Sequence, residues 1–171
     1  KDRSKDLQAK LEELKAKKQE LEDERSKLEG KLANVEGVTV SKRGDEILLT
    51  LENRILFDSG KAVLKAGAKQ AIDAIADALM TDFAGRMIRI EGHTDSDPIR
   101  KAEYKTNWEL SVARAANVLH GLSNKGVEEQ RMSIAGFAYY RPVAPNDSEK
   151  NKARNRRVEI FILPPAPKKA E

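Results

Sequence analysis

The sequence predicts an α/β (α+β) sandwich: a mixed β-sheet with helices packed on one face, preceded by a long N-terminal helix. Three observations predict it. Residues 1–36 place apolar side chains every seven positions, with no glycine or proline before Gly30, which is the period of a pairing helix. Beyond residue 37, short β-branched runs alternate with two stretches of helical spacing in the order hairpin, helix, strand, helix, strand, strand. Interleaved helices and strands of this kind build one sheet with helices on its face.

In the first segment Leu7, Leu14, Leu21, Leu28 and Val35 share one heptad position, and Leu11, Lys18, Arg25 and Leu32 share the other core position. This is a two-stranded coiled-coil pattern, with two basic residues on the seam that disfavour higher oligomers because their heads must reach out to water. Residues 1–36 are expected to form a homodimeric stalk on the order of 50 Å long if helical throughout. A single solvated helix, or one folded back on the domain, is the alternative.

Residues 37–163 are expected to form the globular domain. Val38–Lys42 and Ile47–Leu51 flank an Arg43-Gly44-Asp45 turn signal and read as a β-hairpin. Ile55-Leu56-Phe57 runs into a loop at Asp58-Ser59-Gly60. From Leu64 to Phe83 apolar residues fall at helical spacing with a broad buried face. Met87–Ile90 is a strand closed by Gly92. Thr106 and Glu109 are placed for a capping box at the start of the next helix. That helix is expected to bury Trp108, Val112, Ala115, Leu119 and Leu122, and to carry Asn107, Leu110 and Arg114 on a different face. Met132–Ala135 and Val158–Leu163 read as strands, with a helical turn at Lys150–Arg156 between them. The proline-rich tail, residues 164–171, is expected to be disordered.

Composition narrows the function. The chain has 171 residues, 39% hydrophobic and 35% charged, with 32 basic against 28 acidic residues and a net charge of +4; that length suits one domain plus an appendage. A mild basic excess with few aromatics and no RNA-recognition run argues against nucleic acid. Without cysteine there is no disulfide, thiolate metal site or cysteine nucleophile. Two histidines, His93 and His120, do not make a zinc site, and neither a nucleophile elbow nor a phosphate loop is present. No catalytic residue, metal or cofactor is expected. No apolar run is long enough to span a bilayer. The chain begins at Lys1 without a signal peptide, so any export signal or anchor is expected to lie upstream.

One constellation carries chemistry. Asp95 follows a strand end, and Arg114 lies about two turns into the helix that begins near Asn107. A carboxylate and a guanidinium facing one cleft can grip a zwitterion, the acid taking an ammonium and the base forking a carboxylate. The helix start adds a partial positive charge for the anionic end. Asp95 could instead cap its turn, Arg114 could make a surface ion pair, and Asn107 could be only an N-cap.

Four blocks then resemble the OmpA-like peptidoglycan-binding family: Leu56-Phe-Asp-Ser-Gly60, Gly92-His-Thr-Asp95, Asn107-Trp-Glu-Leu-Ser-Val-Ala-Arg-Ala115 and Asn155-Arg-Arg-Val-Glu159. They occur in the family's order, and the sequence looks most like its flagellar stator B subunit (MotB-like) branch. Outer-membrane members usually carry a glycine soon after the Thr-Asp pair, where this chain has Asp97-Pro98 and a longer loop. The resemblance implies a non-catalytic domain that binds the diaminopimelate of the peptidoglycan stem. Asp95 would hold its ammonium and Arg114 its carboxylate; Asn107 and Leu110 would line the pocket; Thr94, Phe57 and Asp58 would contribute backbone or wall contacts. It also implies a periplasmic location and an upstream membrane anchor or stator partner, with an outer-membrane-to-peptidoglycan tether as the alternative.

Overall fold

The computed structural model describes residues 2–100 and 103–167. Helix α1 (Asp2–Leu32) leads into the hairpin β1 (Val38–Arg43) and β2 (Glu46–Glu52). A short helix α2 (Asn53–Leu56) precedes α3 (Lys69–Met80), β3 (Ile88–His93) and α4 (Asn107–Asn124). Strand β4 (Met132–Gly136), helix α5 (Glu149–Asn155) and strand β5 (Arg157–Ile162) complete the order. The five strands form one sheet in the order β1-β2-β5-β3-β4, parallel only between β3 and β4. Residues 168–171 of the expected disordered tail, and residues 101–102 of the loop before α4, lie outside the described residues.

The hairpin closes through Gly44-Asp45, with Gly44 at φ 60°, the backbone that a two-residue hairpin with glycine at its first central position requires. The last strand in sequence is central in space, paired antiparallel to β2 and to β3. Alternation sends Val158, Ile160 and Ile162 to the helical face, in register with Leu51, Leu49 and Ile47, and with Ile90 and Ile88 across β3. Helix α3 covers them with Ile72, Ile75 and Leu79. It ends at Met80, so Phe83 enters the core from the following turn rather than from the helix. Arg131, itself buried, closes that turn by donating to the carbonyls of Leu79, Phe83 and Arg86.

Helix α4 meets the sheet differently from expectation. Trp108 is 48% exposed and Val112 41% exposed, and Leu119 is only partly buried. The face turned inward carries Leu110, Ser111, Arg114, Ala115, Val118 and Leu122. The reason lies in two glycines on the strands beneath. A Cβ at Gly92 would stand 1.9 Å from the Ser111 carbonyl oxygen, and one at Gly136 would stand 2.5 Å from a Val112 methyl. The helix backbone therefore rests directly on β3 and β4, and only small residues fit beneath it. An indole must leave by the side.

Helix α1 divides into two parts. Residues 2–20 are exposed, including Leu7, Leu11 and Leu14. Leu28 and Leu32 are 1% and 2% exposed and belong to the domain core, with Leu21 and Val35 packed against it. Packing thus begins well before residue 37, and the heptad leucines of the second half are spent within the chain. Ion pairs fix the orientation. Glu22 meets Lys42 at 3.0 Å and Glu24 meets Arg86 at 3.0 Å, both at one end of the sheet. Glu36 meets Arg54 at 2.7 Å at the opposite end, and Lys31 pairs with Asp82. The exposed part of α1 therefore leaves from the end where β3 begins.

Candidate functional site

At the end where β3 finishes, an open cleft of about 1020 Å³ lies between α2 with its following loop, the β3–α4 loop and the first two turns of α4. Phe57, Asp58, Thr94, Asp95, Asn107, Leu110 and Arg114, the residues singled out from sequence, all line it. Their placement follows from the local folds. The sheet ends at His93, so Thr94 and Asp95 emerge at the mouth, and the Thr94 N–H donates to Ala138 O at 2.8 Å. Thr106 caps α4: its hydroxyl accepts from Trp108 N–H and Glu109 accepts from Thr106 N–H at 3.0 Å, the full capping box. Asn107 is therefore the first helical residue rather than the cap, and its amide donates to Asp97 O at 3.0 Å. The capping box occupies part of the helix N-terminus, which leaves fewer free N–H groups for an anion than the sequence suggests.

Arg114 is 3% exposed. Its Nε donates to Lys61 O at 2.9 Å and its guanidinium lies over the Phe57 ring, 5.3 Å from the centroid. Burial pushes its pKa down to about 10, against the opposing pull of the Asp95 charge. The cleft therefore holds a desolvated cation, and among the described residues no carboxylate makes an ion pair with it. Such a group gains strongly from an anion that arrives with its own fork of oxygens.

Asp95 is 7% exposed and already engaged. One oxygen accepts from Asp97 N–H at 2.9 Å, and the other lies 2.6 Å from Arg156 Nη1. Arg156 also donates to Glu149 at 2.5 Å, and Lys152 meets Asp97 at 3.0 Å. Arg156 is not among the residues singled out from sequence. The signal available was its position in the Asn155–Glu159 block, immediately before β5, which the topology brings to the cleft end beside β3. Asn155 holds that corner, accepting from the N–H groups of Val143 and Ala144 at 2.8 and 3.0 Å.

A second charged cluster lies on the other face of the sheet. Glu91, His93 and Glu159 are buried, with ligating atoms within 4.8 Å of one another. His93 Nε2 stands 3.0 Å from Glu159 Oε1. Three guanidiniums already compensate the acids: Arg89 meets Glu91 at 3.0 Å, and Arg157 and Arg43 meet Glu159 at 3.2 and 3.5 Å. Added divalent charge would have to displace them. Burial raises the Glu159 pKa, but His93 and Arg157 outweigh it and hold the carboxyl below its ordinary value.

The crevice opens where β2 and β3 end and β5 begins, and it holds one buried acid and one desolvated guanidinium on a sheet-and-helix domain. The chain belongs to the OmpA family, whose match covers residues 56–156. Motility protein B of Bacillus subtilis is 39% identical over 119 residues, covering 69% of this chain and 45% of its own length. This chain therefore spans less than half of that relative. Among solved structures, a protein of Desulfovibrio vulgaris described as MotB-like superposes with a TM-score of 0.81 at 28% identity, covering 89% of this chain and 96% of that one. The cell wall anchor of the type VI secretion system of Pseudomonas aeruginosa superposes with a TM-score of 0.72 at 31% identity, covering 81% and 96%. Among the described residues, no helix is long and apolar enough to cross a membrane.

Proposed function

We propose that the domain binds the peptide stem of peptidoglycan without catalysis, gripping the zwitterionic end of diaminopimelate, and so anchors a membrane complex to the cell wall from the periplasm. The observation that supports this reading is the convergence of Asp95 and the desolvated Arg114 in one cleft, which Asn107 and Leu110 also line. The ligand carboxylate meets Arg114, whose charge is buried beside a backbone carbonyl and a ring face. The ligand ammonium takes Asp95 and replaces Arg156 there. An arriving zwitterion thus exchanges one internal ion pair for two intermolecular ones. The anchored complex is a MotB-like, ion-driven stator, and Leu7, Leu11 and Leu14 on the exposed part of α1 pair two copies as a short parallel coiled coil.

The test is calorimetric titration of stem-peptide fragments, beside a pull-down on insoluble sacculi. Asp95→Asn and Arg114→Leu should each weaken binding by about 2–5 kcal/mol, the usual loss when one partner of a desolvated charge pair is removed. Amidating the free carboxylate of the ligand should harm binding to the parent strongly and to Arg114→Leu hardly at all. Equal losses on both backgrounds would remove Arg114 from that carboxylate.

A further inference from the structure

The cleft is not the only built surface at its end of the sheet. Trp108, Tyr140 and Tyr139 stack in series on the other flank of α4. The Trp108 and Tyr140 rings lie 5.2 Å apart at 22°, and the Tyr140 and Tyr139 rings 4.4 Å apart at 24°. These side chains remain 48%, 59% and 37% exposed. The row is held in place rather than trailing from a loose loop. Trp108 sits in the capped first turn of α4. Ala138, just before the tyrosines, adopts a left-handed backbone at φ 50°, a conformation that non-glycine residues keep only where their surroundings impose it. Its N–H donates to Ser111 Oγ at 3.1 Å and its carbonyl accepts from Thr94 N–H at 2.8 Å. Two residues of the cleft are thus direct neighbours of the row, Asn107 through the chain to Trp108 and Thr94 through Ala138 to Tyr139.

The chemistry of the row selects its occupant. This row offers ring faces and edges bearing hydroxyl and indole N–H groups, which suits a partner that is apolar on one side and wet on the other. A pyranose ring has that character, with C–H bonds on its face and hydroxyls on its rim. The stem peptide assigned above to the cleft is a branch of a polymer of such rings, and the row adjoins the cleft through Asn107 and Thr94. We propose that the row Trp108–Tyr140–Tyr139 is a second subsite, which engages sugar rings of the glycan strand carrying the stem. This inference rests on the cell-wall reading of the cleft.

Trp108 is the single tryptophan of the chain, so its emission reports on the row directly. Glycan strands freed of their stems by an amidase should change that emission saturably. Tyr140→Ser should weaken this response and sacculus binding roughly tenfold, an aromatic contact of ordinary strength, and leave the affinity for free stem peptide unchanged. Asp95→Asn should do the reverse, keeping the glycan response and losing the stem peptide. Stem peptide that binds while stripped strands leave the emission unaltered would overturn the subsite and spare the cleft. A parent protein that ignores stem peptide but responds to strands would overturn the cleft and keep the subsite. Emission that shifts with protein concentration alone, and no longer does so in Tyr140→Ser, would make the row a self-association face and end the proposal.

Discussion

Arg156 occupies the acid of the cleft: its Nη1 lies 2.6 Å from Asp95 Oδ2, across 61 residues of sequence. A guanidinium from the chain stands where the proposed ligand would place an ammonium. The free protein thereby avoids an unpaired carboxylate that is 7% exposed, and binding becomes an exchange of partners rather than a simple addition.

Removing Arg156 should therefore act on stability and on binding in opposite senses. Arg156→Gln should destabilise the free domain by about 1–2 kcal/mol, less than a fully buried broken pair because the Arg156 side chain is itself 27% exposed. Ligand binding should recover part of that loss. The rise in Tm on adding stem peptide should be larger in Arg156→Gln than in the parent. A smaller rise would mean that Arg156 contacts the ligand instead of yielding to it.

The seat of α4 on the sheet should tolerate no side chain. Gly92→Ala places a methyl 1.9 Å from the Ser111 carbonyl oxygen, which is backbone and cannot swing aside. A loss of about 3 kcal/mol or more is expected in urea unfolding. Gly67→Ala, where nothing lies within 4 Å, is the control and should stay within about 1 kcal/mol of the parent, with the sign of a helix-favouring change.

The two halves of α1 should respond differently to one kind of substitution. Leu28→Ala removes a side chain only 1% exposed and should cost about 2–5 kcal/mol of domain stability. Leu14→Ala, at a residue 57% exposed, should leave thermal unfolding at low protein concentration within about 0.5 kcal/mol of the parent and instead weaken self-association in sedimentation equilibrium. A strong effect of Leu14→Ala on the dilute protein would mean that this stretch also docks on its own domain.

Acid should find the outer face of the sheet. Burial alone would raise the Glu159 pKa, but His93 and Arg157 hold it below its ordinary value of 4.5. The folded state thus holds the anion more tightly than the unfolded chain does. Its contribution to stability is complete above about pH 4.5 and is lost as pH falls through the lower folded value. Glu159→Gln should be less stable than the parent near neutrality, and the difference should shrink progressively in unfolding experiments below pH 4.5. A difference independent of pH would assign the effect to packing.

Much of this architecture can be read from local pattern. The hairpin and the last strand announce themselves because period-2 alternation and the Arg43-Gly44-Asp45 turn act over a few residues. The capping box at Thr106 and Glu109 is equally local. The burial of Trp108 was misjudged because helical spacing gives a stripe but not which flank of that stripe meets the sheet. That choice was made by Gly92 and Gly136, on strands 16 and 28 residues away in number from Trp108, whose missing side chains are silent in a hydrophobicity pattern. Seven residues of the cleft lining were legible from their motif blocks, with Asp58 at its exposed rim. The pairing of Asp95 with Arg156 rather than with Arg114 was not, since it depends on β5 being central in the sheet. Likewise the heptad leucines repeat without a break, and only the tertiary contacts of Leu28 and Leu32 show that the second half docks on its own domain.

The polarity of α1 has a mechanical meaning. The helix enters at the end of the sheet opposite the cleft, runs the length of the domain and turns back into β1 beside Arg54, at the cleft mouth. A load applied between the cleft and the free end of α1 is therefore directed along the strands. It slides α1 against β1 and α3 lengthwise, so that Leu28, Leu32 and the flanking ion pairs must yield together rather than one by one as in a zipper. Resistance to such a pull is set by the rate of unfolding, not by equilibrium stability, and the docked half of α1 is the part that bears it.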